Sequence, residues 1–201
     1  MTGRPLVGTM PAGSPLVRIV PLARGPDGAL FFGPTSGRPP MHRFDAPDGS
    51  FGVCYLAESP RGAVAESLLR LATAPLPPLG LRMLDRAAVS ARAWARTVTT
   101  RPIRLADVRN GEGLARRHHT GELTMSASHL AGRAEAAALH AMAEAVDGIW
   151  YRARHDPAAS VVALFDRAES ALAPVDTLVP LLDDAVTMAT LLDHYGVGLD
   201  P

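Results

Sequence analysis

Short apolar runs, separated by proline and glycine, predict the strands of this chain. The first spans residues 16–20 (LVRIV) between two prolines, and the second spans residues 51–57 (FGVCYLA). The runs at 103–108, 149–151 and 161–165 share the β-branched and aromatic composition that favours strands. The last two runs flank a turn and predict a hairpin, with a connection longer than the tight two-residue type.

Apolar residues at helical spacing predict three main helices. The first begins at Ser59 and Pro60, which supply an N-cap and a proline at the first helical position, and it runs to about residue 72. The segments 126–145 and 180–195 have similar patterns. Strands and helices are mixed along the chain without repeats, so the pattern predicts a single α+β domain.

The N-terminal residues lack either pattern. We expect residues 1–15 to form a flexible or loosely docked arm and residues 16–201 to form the folded domain. Within that domain, residues 21–47 are rich in glycine and proline and predict a long loop. Long loops in compact domains are often functional.

Charge and composition narrow the function classes. The formal net charge is zero, which gives no electrostatic reason to bind nucleic acid directly or an anionic membrane. All basic residues are arginine, so a lysine Schiff base and a P-loop lysine are excluded. No run approaches the roughly 20 apolar residues of a membrane span, and prolines interrupt the N-terminal apolar stretches. We therefore expect a cytoplasmic protein.

Common catalytic and metal-binding motifs are absent from the sequence. Cys54 is the single cysteine, so neither a disulfide nor a cysteine zinc site is expected, and a buried thiol is the default interpretation. His118, His119 and Glu122 resemble part of a metal site, but adjacent histidines point in different directions on any regular element. No metal site is predicted.

Three polar residues between positions 42 and 66 could carry chemistry. Arg43 follows the proline-rich loop, Tyr55 lies in a predicted strand, and Glu66 lies about 200° from Val64 around the first helix, away from its apolar stripe. Each also has an ordinary structural interpretation. Arg43 could pair with a neighbouring aspartate, Tyr55 could be a core residue, and Glu66 could pair with Arg70 at i, i+4. Spacing alone leaves both interpretations open.

Two blocks of sequence resemble the RES domain family. The first runs from His42 to Glu66 and contains HRFDAPDG, YLAE and AE, and the second runs from Asp147 to Asp166. The segments Leu16–Ile19 and Tyr195–Val197 resemble the ends of the family, so the resemblance covers roughly Leu16 to Leu199. The family comprises toxins of bacterial toxin–antitoxin pairs with Xre-type antitoxins. Its fold resembles the ADP-ribosyltransferases, and characterised members destroy NAD⁺.

The resemblance implies roles for particular residues of this chain. It places Arg43, Tyr55 and Glu66 at the arginine, tyrosine and glutamate positions of an NAD⁺ site, where they would be catalytic. Ala153 occupies the position where the family has a serine that contacts substrate. Arg18 and Arg154 are further candidates for binding the anionic part of the substrate, since guanidinium groups fit phosphate oxygens.

The expected function is therefore NAD⁺ cleavage at the nicotinamide–ribose bond, within a fold like that of the ADP-ribosyltransferases: a mixed β core with flanking helices. NAD⁺ would be the substrate, so no separate cofactor is expected. Water, phosphate or a macromolecule could accept ADP-ribose. The alternative to an enzyme is a binding module that has lost turnover with the serine at position 153. The partner implied is an Xre-type antitoxin covering the cleft, and assembly with that antitoxin or with a second copy is left open.

Overall fold

A mixed β-sheet of eight strands organises the fold. The computed structural model describes residues 3–33, 38–73, 82–142 and 144–200. The strands in chain order are β1 (Val7–Met10), β2 (Pro15–Pro21), β3 (Val53–Ala57), β4 (Arg82–Asp85), β5 (Arg92–Val98), β6 (Ile103–Asp107), β7 (Gly148–Ala153), β8 (Asp156–Phe165), β9 (Leu178–Pro180) and β10 (Val197–Asp200). The large sheet has the order β1-β6-β7-β8-β3-β2-β5-β9, while β10 and β4 pair in parallel beside it.

Short helices flank the sheet. They are α1 (Pro60–Ser67), α2 (Arg86–Ser90), α3 (Gly111–Arg116), α4 (Glu122–Met125), α5 (Leu130–His140) and α6 (Ala185–His194). The first begins as the sequence predicts, because the Ser59 hydroxyl accepts a hydrogen bond from the backbone N–H of Gly62 and Pro60 opens the helix. The α+β class, with a mixed sheet and flanking helices, is therefore confirmed.

Alternating side chains give the sheet two buried faces. On one face, residues such as Val53 of β3 and Ile149 of β7 pack with Val64 and Leu68 from the α1 segment. Cys54 and Leu56, which alternate with Val53, belong to a second cluster on the other face. Burial of both faces explains why the central strands read as nearly continuous apolar runs.

The sheet is nearly split between β2 and β3. These neighbours share the single register pair Val17↔Ala57, whereas β3 pairs with β8 over five residues and β2 pairs with β5 over seven. The diverging strands therefore leave an opening in the middle of the sheet. This opening positions the candidate site.

Several local expectations differ from the structure. Residues 3–15 do not form a free arm: Val7–Met10 adds the edge strand β1 by antiparallel pairing with β6, and β2 begins at Pro15. The backbone bonds of β6 provide this anchor, which apolar periodicity does not reveal; residues 1 and 2 lie outside the described residues. The β7–β8 connection is two residues long, Arg154 and His155, with a register shift next to Ala153.

All three predicted helices are shorter than their apolar patterns. The first ends at Ser67, about five residues before the predicted end near residue 72, because residues 68–71 form turns. The segment 126–145 contains only Leu130–His140 as α5, and the segment 180–195 contains only Ala185–His194 as α6; residue 143 lies outside the described part of the chain. In both segments the flanking residues form turns or extended chain. Among the described residues, no helix combines the length and apolar character that crossing a membrane requires.

Candidate functional site

A pocket of about 300 Å³ lies where β2 and β3 diverge. Its walls come from both strands, helix α1, the loop around residue 43, and the β7–β8 turn. The charged or polar side chains that line it are Arg18, His42, Arg43, Tyr55, Glu66, Ser67, Arg70, His129, Tyr151, Arg154 and His155. The structure thus brings together five of the six residues singled out from the sequence: Arg18, Arg43, Tyr55, Glu66 and Arg154.

Glu66 is the carboxylate that lines this pocket. Its Oε1 accepts a hydrogen bond from the backbone N–H of Arg154 at 3.2 Å, and its Oε2 lies 3.5 Å from the Tyr151 hydroxyl, which donates to it. Burial raises the pKa of Glu66, while the Arg154 amide and the nearby charge of Arg43 act in the opposite direction. The local i, i+4 pair with Arg70 is not the contact that fixes this carboxylate. Glu66 is held at the pocket wall by groups from β7 and the β7–β8 turn, more than 80 residues away along the chain.

Tyr151 is a site residue that the sequence analysis did not single out. It is buried on β7, and its ring packs edge-on against Phe44 at a centroid distance of 4.9 Å. Burial and the adjacent Glu66 raise the pKa of its hydroxyl well above the usual value, so it stays protonated and donates. A tyrosine in an otherwise apolar strand was the available signal, since a buried hydroxyl needs a partner.

Arg43 is buried and holds a loop as well as lining the pocket. Its Nη1 donates to the carbonyl of Leu123 at 3.1 Å and its Nη2 to that of Ser126 at 2.7 Å, with a longer contact of 3.5 Å from Nη1 to Ser128. Helix α5 packs closely against Arg43 at Gly132. A side chain at this position would place its Cβ only 2.7 Å from Cγ of Arg43, so the close packing requires glycine. At most two of the five guanidinium N–H groups remain for a ligand. Arg43 thus bonds to main-chain carbonyls, and not to a neighbouring aspartate as one interpretation of the sequence allows.

Asp45 and Tyr55 fix the loop that carries Arg43. The Tyr55 hydroxyl donates to Oδ1 of Asp45 and accepts from the backbone N–H of Phe44, each at 2.9 Å. Oδ2 of Asp45 accepts from the backbone N–H groups of residues 41 and 42. The Tyr55 ring lies on the pocket wall with His42 against it, at a centroid distance of 5.4 Å. Tyr55 therefore contributes its ring to the pocket and its hydroxyl to the loop.

Arginines give the pocket a positive rim. Arg70 and Arg154 are exposed at its edge, and Arg18 reaches it through the opening, where its Nη1 donates to the Cys54 thiol at 3.0 Å. Burial lowers the pKa of His42, and burial and nearby arginines lower that of His155, so both imidazoles are uncharged at neutral pH. The positive charge therefore comes from arginine, and it favours an anionic ligand.

Ala153 lies outside the pocket lining. Its side chain is completely buried in the apolar cluster beneath the helices, although Tyr151 and Arg154 on either side do line the pocket. The structure thus leaves the Ala153 methyl group outside the residues that line the pocket. Ala153 shares the β7 face of Ile149 and Tyr151, where its short methyl group packs into their apolar cluster, and the two-residue turn then brings Arg154 to the pocket.

The other candidates have structural roles. His119 contacts Glu135 at 3.0 Å, and Glu135 is paired with the buried Arg117, so this histidine belongs to a buried polar cluster. Within the described residues, no group of three histidine, cysteine or acidic side chains could hold a metal ion. Cys54 is buried, and burial raises the pKa of its thiol, as the sequence suggests for an inert cysteine.

Comparison with known proteins identifies a family and a similar fold. The family model described as the RES domain matches residues 15–184. A chain in the crystal structure of the M. tuberculosis MbcT-MbcA toxin–antitoxin complex superposes with a TM-score of 0.54 at 16% sequence identity, covering 90% of this chain and 92% of that chain. None of the curated proteins matches this sequence.

Proposed function

Because the chain belongs to the RES domain family, we propose that it is the toxin of a bacterial toxin–antitoxin pair and that it destroys NAD⁺. The bond broken is the one between nicotinamide and ribose. One observation carries the proposal: a buried carboxylate, Glu66, lies in a pocket whose other charged lining groups among the described residues are arginines. Such a pocket suits a substrate that is anionic at its phosphates and becomes cationic at the reacting sugar.

The chemistry follows from the charge that develops during bond cleavage. As the nicotinamide–ribose bond breaks, its electron pair leaves with nicotinamide, and the ribose approaches an oxocarbenium ion. The Glu66 carboxylate stabilises that positive charge and can accept a hydrogen bond from a ribose hydroxyl. Water then adds to the ribose carbon and loses a proton to solvent, which gives ADP-ribose and nicotinamide. The donors Tyr151 and the Arg154 amide fix the carboxylate in advance.

The substrate phosphates are assigned to the exposed arginines. Arg70 and Arg154 lie at the pocket edge, whereas Arg43 uses two nitrogens for main-chain carbonyls. Arg43 therefore contributes positive charge and loop geometry, and at most two N–H groups towards the ligand. The Tyr55 ring offers a face for the cationic nicotinamide, a favourable contact for an aromatic side chain.

The partner in this proposal is an antitoxin of Xre type that covers the pocket. The structurally similar chain comes from a toxin–antitoxin complex, which supports an assembly of this kind. The positive rim would favour acidic groups in the covering segment.

The first test is NAD⁺ concentration over time with the purified chain, free of partner, beside the variants Glu66→Gln and Glu66→Ala. We expect NAD⁺ loss matched by nicotinamide release, and none in either variant. A fully active Glu66→Ala variant would exclude the mechanism.

NAD⁺ labelled in the adenylate part identifies the acceptor of ADP-ribose. With water as acceptor, the label stays in free ADP-ribose, and with phosphate it enters a phosphorylated product. After transfer to a macromolecule, the label is attached to that macromolecule.

A folded protein that binds NAD⁺ without consuming it would contradict the catalytic proposal. That result would favour the binding-module alternative, in which the chain acts through complex formation. Ala153 favours this alternative, because its buried methyl group supplies no hydroxyl where the family has a serine.

A further inference from the structure

A polar cluster centred on the buried Asp156 lies behind the β7–β8 turn, outside the pocket. Asp156, only 6% exposed, accepts a bidentate pair from Nε and Nη2 of Arg61, the second at 2.9 Å. The Tyr195 hydroxyl donates to Oδ2 of Asp156 at 2.7 Å, and the backbone N–H of Ala158 donates to Oδ1 at 3.1 Å. One carboxylate thus joins the first turn of α1, the start of β8 and the end of α6.

This cluster and Glu66 hold the same turn against the same helix. Arg61 and Glu66 both belong to α1, near its start and near its end. Asp156 follows the turn Arg154–His155 directly, and the backbone N–H of Arg154 donates to Glu66. The turn is therefore attached to α1 at two points. If Asp156 lost its contacts with Arg61 and Tyr195, the turn would be free to shift, and the Arg154 N–H that orients Glu66 would shift with it.

We propose that Tyr195, Asp156 and Arg61 form a positioning cluster that holds the Arg154 amide in place on Glu66. The proposal rests on the proposed function in so far as Glu66 acts in catalysis. None of the three side chains lines the pocket, so the cluster acts only through the turn. A carboxylate used in catalysis must be fixed to within a fraction of an ångström, and such precision depends on the contacts behind it.

The C-terminal helix gains a role from this arrangement. Tyr195 follows the last residue of α6 and lies beyond residues 15–184, which the family model matches, in the segment whose sequence resembles the end of the family. Two hydrogen bonds from Arg61 and one from Ala158 already reach the Asp156 carboxylate. The Tyr195 hydroxyl donates the fourth. The C-terminal segment therefore takes part in ordering the site.

The most selective test is Tyr195→Phe, which removes one hydroxyl and keeps the packing of the ring. The matched control is Asp184→Asn, which weakens a different polar contact at the other end of α6, where Asp184 accepts from Arg96 at 3.0 Å. We expect Tyr195→Phe to lower kcat for NAD⁺ about tenfold with KM nearly unchanged. Asp184→Asn should leave both values within twofold of the parent chain.

A direct readout of Glu66 separates positioning from general destabilisation. Carboxyl ¹³C resonances of labelled glutamate, assigned with Glu66→Gln, report its titration in each folded variant. The charged or titratable groups that face Glu66 are Arg43, Arg70, Tyr151 and Arg154, and none is altered. Loss of the Arg154 amide contact should raise the pKa of Glu66 in Tyr195→Phe, by about half a unit to one unit, and not in Asp184→Asn.

The result that overturns the proposal is an unchanged Glu66 titration and an unchanged Arg154 amide resonance in Tyr195→Phe. Arg61→Lys provides a second variant if the first folds poorly, because it keeps the charge and loses the bidentate geometry. These spectra need no turnover. If the parent chain leaves NAD⁺ intact, the proposed function fails, while the spectra still decide whether the cluster positions Glu66.

Discussion

The hydroxyl of Tyr55 and the carboxylate of Asp45 lie 2.9 Å apart, and this bond connects the sheet to the loop that carries Arg43. The same hydroxyl accepts from the backbone N–H of Phe44, so it bonds to two consecutive residues of that loop. Burial and the nearby Asp45 raise the pKa of Tyr55 well above the usual value, which keeps the hydroxyl protonated as a donor.

Tyr55→Phe should therefore weaken the site more than the fold. The variant keeps the ring but leaves the Phe44 N–H and one oxygen of Asp45 without this partner, which costs about 1–2 kcal/mol in the free energy of unfolding. NAD⁺ consumption should fall about tenfold or more, as the loop of Arg43 loses its anchor. Urea unfolding and the NAD⁺ assay measure the two effects. Combination with Asp45→Asn should be non-additive, and simple additivity would show that the two groups act separately.

Glu66→Gln should abolish NAD⁺ loss without lowering stability at neutral pH. Burial raises the pKa of Glu66, so the folded state binds the proton more tightly than the unfolded state. The stability contributed by the protonated form is present at low pH and is lost as the pH rises through the raised pKa. Glutamine carries no charge and avoids this loss. Thermal unfolding at pH 7 should show an equal or higher Tm, and a clear drop would mean that the carboxylate stabilises the fold.

Turnover should depend on pH through the same carboxylate. In the proposed mechanism the ionised form of Glu66 stabilises the developing positive charge, so kcat should fall as the pH drops through its pKa, which lies above the ordinary value of 4.5. A rate profile measured over a range where the protein stays folded tests this. A rate that stays constant below pH 4 would argue against Glu66 as the charged group.

Arg70→Gln and Arg154→Gln should mainly raise KM. Each side chain lines the pocket edge, and loss of one charged contact to phosphate weakens binding about tenfold. Arg154→Gln keeps the backbone N–H that donates to Glu66, so kcat should change little. Arg116→Gln is the control, since Arg116 is an exposed arginine paired with Glu112. Equal effects in all three variants would remove the phosphate assignment.

Ala153→Ser tests whether the departure from the family matters. The position is completely buried and does not line the pocket, so we expect the rate of NAD⁺ loss to change less than tenfold. The binding-module alternative makes the opposite prediction, a many-fold gain from almost no activity. Initial rates with matched folded concentrations distinguish the two.

The sequence predicts the central strands and the helix that carries Glu66 well, because their signals are local. Ser59 and Pro60 define the start of α1, and the apolar runs of β3 and β8 are long enough to be identified. The edge strand Val7–Met10 has no such signal. Its stability comes from pairing with β6, a partner far away in the sequence.

The site shows the same division between local and long-range information. Arg43, Tyr55 and Glu66 are assigned from the resemblance, Arg18 and Arg154 are chosen for their charge, and the structure brings all five to one pocket. The hydrogen-bond partners of these side chains depend on contacts between residues that are far apart in the sequence. Arg43 takes carbonyls from the segment near α4 in place of a nearby aspartate, and Glu66 takes the Arg154 amide in place of Arg70.

The pairing of β3 with β8, which follows it by about 100 residues, also bears on how the chain emerges from the ribosome. Arg43, Tyr55 and Glu66 are synthesised early, but the register partner of Val53 is Phe165, and Glu66 finds its donors only at Tyr151 and Arg154. A prematurely terminated chain that ends before β7 would carry Arg18, Arg43, Tyr55 and Glu66 but would lack the pocket wall formed by Tyr151 and Arg154. An NAD⁺-destroying activity built this way would arise only when translation is nearly complete, so aborted products would be harmless to the cell that makes them.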